Sequence, residues 1–205
     1  MRQLSRHPLG RKNQQRTDMN IKQTIQQSLM IAAGLADSGG SPQLIHRNRS
    51  KNFVETLASQ LREEFKENES VYVLSKHYEH TRLEFGLNEL LYDVLVCETD
   101  QVQSAIEKEY LTFVIRAIWE IESEFARNSR EAFYDFNKLV LGSSENKLFV
   151  GPQVSNEATF INLLAEAAKY CHGNTYLALV PHPSEWKSQK LDVHCWLFNK
   201  GWQAT

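Results

Sequence analysis

Residues 90–96, LLYDVLV, are apolar at every position but one. A strand with one solvated face would alternate apolar and polar residues, so this nearly unbroken run reads as a strand covered on both faces. Such a strand belongs inside a sheet with a packed layer on either side, which points to an α/β fold rather than a bundle or a one-sided sheet. The exception, Asp93, carries weight for the same reason. A carboxylate in a central strand costs several kcal/mol unless it is paired, neutralised or bound to a cation.

The surrounding pattern supplies the layers. Ile21, Ile25, Leu29 and Ala32 predict a short amphipathic helix within residues 21–35, and Phe53, Leu57, Leu61 and Phe65 predict another over 52–67. Between them ADSGGSPQLIHRNRSKN, with Gly39, Gly40 and Pro42, reads as a linker. VYVLSK, RLEF and NELLYDVLVCE read as strands, 100–110 as helical, and YLTFVIRAIWEIES as a long strand. Asn128 with Glu131 three positions on resembles a capping box and predicts a helix over 129–141. KLFVG, TYLALVP and VHCWLF are further strands, with a helix in EATFINLLAEAAKYC. This order gives an antiparallel meander followed by mixed pairing with helices on both faces. A hydrophobic content of 41% suffices for such a core. No run reaches 18 apolar residues, so no membrane partner is expected, and the scattered glycines form no phosphate loop, so no nucleotide cofactor is expected.

Acids recur where apolar residues would be cheaper. Strict alternation along YLTFVIRAIWEIES places Phe113, Ile115, Ala117, Trp119 and Ile121 on one face and Val114, Arg116, Ile118, Glu120, Glu122 and Glu124 on the other. The second face begins apolar and ends acidic, at the strand end where α/β sheets build their sites. Glu120 and Glu122 project from one face, and Asp93 on a neighbouring strand would complete a set of three oxygen donors suited to Mg²⁺ or Mn²⁺. The plainer alternative is that Asp93 pairs with an arginine such as Arg116 while Glu122 and Glu124 are solvated strand ends. A glycosidase fits less well, because its two acids must flank a sugar from opposite sides.

An acid in an apolar strand, a hydrophobic strand carrying Glu120-Ile121-Glu122, then the helix SREAFYDFNKLV and a short strand resemble the PD-(D/E)XK nuclease superfamily over about residues 52–181. The resemblance implies a restriction-endonuclease-like mixed β-sheet flanked by helices on both faces, here with an N-terminal helical extension. It implies Mg²⁺- or Mn²⁺-dependent hydrolysis of DNA phosphodiesters, as in restriction or defence endonucleases, with Asp93, Glu120 and Glu122 as metal ligands and catalytic acids. Glu55 on the first helix of the core would be an additional acid. No proline precedes Asp93, and Glu122 stands where the family usually has lysine. Lys138 suggests itself as a migrated lysine, but an ideal helix carries it ~12 Å from Arg130, away from the strand ends. The alternative function is a catalytically inactive nuclease-fold module that binds nucleic acid or a protein.

Charge divides the chain. Residues 1–51 hold nine Lys or Arg against two Asp, a net of +7, and the remainder is −9. The sequence therefore predicts a basic arm over 1–51 and a nuclease-like domain over 52–205, with Arg47, Arg49 and Lys51 of the arm, and Arg127 and Arg130 beyond the acidic strand, as nucleic-acid contacts. Such an arm serves DNA binding or folds back onto the acidic body as a tether. A homodimer is compatible with either. Met19 offers a second start. Three cysteines without regular spacing favour reduced thiols and a cytoplasmic setting. His77, His80, Cys171, His172, His194 and Cys195 have no closed zinc-site spacing.

Overall fold

A computed structural model describes residues 19–37, 39–76, 78, 81–82, 85–86, 90–187 and 190–205. The chain is α/β. Its elements run α1 (Ile21–Gly34), α2 (Pro42–Phe65), β1 (Val71–Ser75), β2 (Val94–Gln103), β3 (Tyr110–Ser123), α3 (Ser129–Leu141), β4 (Asn146–Pro152), α4 (Glu157–Ala168), β5 (Asn174–Val180), β6 (His194–Phe198) and β7 (Trp202–Ala204). The strands form one seven-stranded sheet in sequence order, β1 to β7. Pairing is antiparallel from β1 to β3, parallel from β3 to β5 and antiparallel again to β7.

Alternation sorts the strands' side chains into two cores. Val73, Val94, Val96, Trp119, Ile121, Leu148, Val150, Ala178 and Val180 pack under α1 and α2. Leu74, Leu95, Cys97, Phe149, Leu177 and Leu179 pack under α3 and α4. The two parallel crossovers step in the same direction across the sheet, so a common handedness puts α3 and α4 on one face. The first pair of helices must then cover the other.

Local chemistry sets the helix starts. Asn20, Ser41, Asn128 and Asn156 each cap a helix by accepting a backbone N–H three residues on, and α3 begins where the Asn128–Glu131 pair predicts. Elsewhere the sequence reading needs correction. Pro42 is the first residue of α2, a favoured position for proline, so only residues 35–41 connect the helices, and a boundary after residue 51 falls inside α2. Residues 100–103 extend β2 instead of forming a helix, because they pair with β3 through to Gln103↔Tyr110. Arg82 and Phe85 lie outside any strand, and the two middle residues of RLEF fall outside the described part.

Strict alternation also fails on β3. Its register against β2 shifts between Val96 and Cys97 and again between Glu98 and Thr99. Each shift leaves one extra residue on β3, Ile118 and then Ile115, as in a β-bulge. Ile118 consequently packs with the α1/α2 core, while Ala117 and Val114 pack with the other.

Helix α1 is a core element. Ile21, Ile25, Leu29, Ala32 and Ala33 are buried against α2 and the sheet, Gln26 donates to the Leu191 carbonyl at 2.6 Å, and Lys22 donates to the carbonyl of Thr205. No described helix is long and apolar enough to cross a membrane. Leu29 is fully buried whereas Met30 is 60% exposed. Leu29→Ala should therefore cost about 2–5 kcal/mol and Met30→Ala less than about 0.5 kcal/mol in denaturant titrations. Equal midpoints for the two variants would return α1 to the status of a loose arm.

Candidate active site

The site forms where β2 starts, β3 ends and α3 turns back. Register places Val94 opposite Ile121, so Asp93, one residue before β2, comes level with Glu122 and Ser123. Asp93 Oδ2 accepts two hydrogen bonds, from the Ser123 backbone N–H at 2.9 Å and the Ser123 hydroxyl at 2.6 Å. Burial raises its carboxyl above the usual range, working against both bonds. The pairing with Arg116 weighed from sequence does not occur. Arg116 lies on Glu98 at 2.7 Å and also bridges to Glu145.

Glu122 is 1% exposed and lies under α3. Its Oε2 is 3.1 Å from Lys138 Nζ, which also reaches Asp135 Oδ1 at 2.8 Å. Lys138 is therefore part of the site, contrary to the distance argument from sequence. Side chains on a helix lean towards its N-terminus, and α3 runs back over β3, so the long lysine stem returns to the strand it seems to leave. Burial, and next the like charge of Asp93, push the Glu122 carboxyl up to about 8, against the opposing pull of Lys138. Burial disfavours the Lys138 ammonium, but Asp135 and Glu122 outweigh it and raise its pKa. Glu124 also sits above the usual range, through burial and the neighbouring Asp135.

Glu120 is held elsewhere. Its Oε1 accepts from the backbone N–H groups of Ser143 at 3.1 Å and Ser144 at 3.2 Å, in the loop after α3, and its Oε2 faces Lys147 Nζ at 3.8 Å. Gly142 closes over it so tightly that a Cβ there would lie 1.7 Å from Oε2. Lys147, fully buried, donates to the carbonyls of Ser144 and His172, both at 2.9 Å. The structure thus sets Asp93 level with Glu122, near enough for its charge to act on that carboxyl, and fastens Glu120 to the α3–β4 loop. The Tyr92 hydroxyl is near enough to both glutamates to feel them, and is pushed up to about 12 by burial first and then by their charges.

Two buried carboxylate oxygens, Glu120 Oε2 and Glu122 Oε1, lack a hydrogen-bond partner among the described residues. Among the same residues no three His, Cys, Asp or Glu side chains stand close enough to hold a metal ion as a group. A cleft of about 270 Å³ is lined by Arg47, Ser50, Lys51 and Val54 of α2, by Lys76 and by Asp93, Ser123, Glu124 and Phe125, so that of Asp93, Glu120 and Glu122 only Asp93 reaches it. Lys76, in the turn after β1, was missed in sequence, where nothing ties it to Asp93.

The remaining candidates divide. Arg47 and Lys51 lie in the cleft wall. Arg49 does not: it makes a two-pronged bridge to Asp37, at 2.8 and 2.7 Å, and donates to the Pro183 carbonyl. Arg127 is bridged to Glu185, and Arg130 is exposed at the start of α3. Glu55 accepts from Ser75 at 3.1 Å, at the end of β1. Five basic residues of the arm, Arg2, Arg6, Arg11, Lys12 and Arg16, lie outside the described residues, as do His77 and His80. Cys195 is buried in the core and His194 pairs with Glu157 at 3.0 Å, which leaves neither in a zinc arrangement. The chain matches no family model, no curated protein and no solved structure.

Glu122 makes stability depend on pH. Below its ordinary value of 4.5 both folded and unfolded chains hold the proton, so nothing is lost. As pH rises from 4.5 towards about 8 the unfolded chain releases the proton and the folded one retains it, which lowers stability by up to about 1.4 kcal/mol per pH unit. In chelator, the melting temperature of the wild type should fall across this window and that of Glu122→Gln should fall less. Parallel curves would show that Glu122 is ionised throughout.

Proposed function

We propose that the protein is a divalent-metal-dependent phosphodiesterase of the restriction-endonuclease-like class, acting on DNA, with Asp93, Glu122 and Lys138 at its centre. The observation that carries this reading is the level placement of Asp93 and Glu122 at a strand end, with Lys138 Nζ 3.1 Å from Glu122 and with Asp93 lining a cleft that Arg47, Lys51 and Lys76 also line. The order α2–β1–β2–β3–α3–β4, a helix, an antiparallel meander, a helix and a strand, supports this reading.

The residues fit a hard cation. Mg²⁺ is usually held by one or two carboxylates, completing its shell with water and substrate phosphate, so Asp93 and Glu122 suffice where a third acid is absent. The unpartnered Glu122 Oε1 is an oxygen donor waiting for such a partner. When bound, the ion polarises a phosphate oxygen and lowers the pKa of a coordinated water. Lys138, held charged by Asp135 and Glu122, acts as a fixed positive charge that stabilises the phosphate in the transition state. It is no base. Glu124 lines the cleft with a raised carboxyl and is suited to accept the proton from attacking water. Arg47, Lys51 and Lys76 hold the flanking phosphates.

A second reading, an inactive nuclease-fold binding module, draws on the closed Glu122–Lys138 pair and the absence of a three-acid group among the described residues. Plasmid nicking in Mg²⁺ and Mn²⁺ separates the two. Wild type should nick, and Asp93→Asn, Glu122→Gln and Lys138→Met should each reduce the rate at least 100-fold while remaining folded. Arg47→Gln and Lys51→Gln should weaken DNA binding and flatten its salt dependence, by about 0.9 in log–log slope for each phosphate no longer neutralised. A wild type that neither nicks nor is thermally stabilised by either metal, yet binds DNA, establishes the binding module instead.

A further inference from the structure

Residues 181–187, PHPSEWK, follow β5 and tie three parts of the molecule together. Trp186 is buried, donates its indole N–H to the Pro181 carbonyl at 2.7 Å and packs edge-on against Phe53 of α2 and Phe125 after β3. The Pro183 carbonyl accepts from Arg49 of α2, and Lys187 donates to the carbonyls of Ala33 and Leu35 at the end of α1. Glu185 bridges to Arg127 in the loop after β3. This strap therefore joins α1 and α2 to the β3–α3 loop, and both α2 and Phe125 line the cleft.

A histidine closes its turn. The Ser184 backbone N–H donates to His182 Nδ1 at 3.1 Å, and the Ser184 hydroxyl lies 2.7 Å from the same atom. A backbone N–H can only donate, so Nδ1 is unprotonated and the neutral ring carries its proton on Nε2. A second proton can go only to Nδ1, where it sets two donors face to face. The surroundings oppose it as well. The His46 ring of α2 stands edge-on to His182 with centroids 5.7 Å apart, and the Arg127 charge is near enough to act on the ring. Glu185, the acid on the strap itself, is already bridged to Arg127, and Asp37 is taken up by Arg49. Burial first, then Arg127 and His46, hold His182 below its ordinary value of 6.5, against the pull of Glu185.

We propose that residues 181–187 are a proton-sensitive clamp: in mild acid a proton on His182 breaks the Ser184 contact, the 182–184 turn opens and α2 loosens from the β3–α3 loop. Above pH 6.5 neither the folded nor the unfolded chain holds this proton, and the clamp is closed. As pH falls below 6.5 the unfolded chain takes the proton up and the folded one resists it, so stability is lost in the acid direction. Glu122 acts with the opposite sign, since the proton it retains costs stability as pH rises, and the two effects are separable on that ground. The inference does not depend on the phosphodiesterase reading.

The test is nuclear magnetic resonance of the full chain from about pH 5 to 8. At neutral pH His182 should show the proton on Nε2, and it should titrate below 6.5. Protection of the Trp186 indole proton, corrected for intrinsic exchange, should fall at least about 3-fold between about pH 7.5 and 5. In His182→Asn, whose side-chain carbonyl can still accept from the Ser184 N–H but binds no proton, protection should stay level over that range. His46→Gln, which removes a like charge, should move the loss to higher pH. A proton on Nδ1 at neutral pH, titration at or above 6.5, or level protection in the wild type overturns the proposal. So does a loss of protection as steep in His182→Asn as in the wild type.

Discussion

Two carboxylates on the same face of β3 lie under α3, and the way each is compensated organises this half of the molecule. Removing both from water costs several kcal/mol, which no packing around them returns. Glu120 is met by two backbone N–H groups of the loop after α3 and by Lys147 from the adjacent strand. Glu122 is met by Lys138 from the helix itself. The two glutamates thereby tie α3 to the sheet at both ends of its second half. The helix cannot slide without stranding a charge. They differ in what holds them: Glu120 is fastened to the loop after α3 by two backbone N–H groups, whereas Glu122 is held by a side chain alone, at the level of Asp93.

The two bulges in β3 serve the same arrangement. They turn Ile118 to the α1/α2 core and Ala117 and Val114 to the other, and because the second shift undoes the first, Leu111 and Phe113 keep the face of Trp119 and Ile121, opposite the face on which Glu120 and Glu122 lie under α3. One strand carries exposed apolar residues at one end and a buried acidic pair at the other. Part of the cleft wall comes from α2, which begins ten residues ahead of its expected start and brings Arg47 and Lys51 into the cleft that Asp93 lines. Positive charge that composition assigned to an arm is, for these two residues, part of the site wall, and for Arg49 it is an internal strut to Asp37 and Pro183.

How much was legible follows from the range of each interaction. The double-sided burial of Val94–Cys97, the cap at Asn128, the span of α3 and the order of helices and strands through the second half rest on neighbours within a few residues, and the sequence determines them, whereas Leu90–Asp93, read as the first half of the same buried strand, lie outside β2, where Leu91 at φ 67° turns outward and is 77% exposed. Asp93 and Glu122 were legible as candidates for the same reason, because a charge in an apolar run is visible in the run. The extra first turns of α2 were not, since a polar segment rich in turn formers becomes helical once Pro42 and the Ser41 cap start it and Phe53 anchors it. What only the tertiary structure decided is partnership: that Lys138 folds back to Glu122, that Glu120 turns to a loop, that Lys76 lines one cleft with Asp93 and that β3 slips twice against β2. Each of these depends on where α3 and α2 settle across the sheet, and that is fixed by the burial of two whole helix faces rather than by any residue's own neighbours.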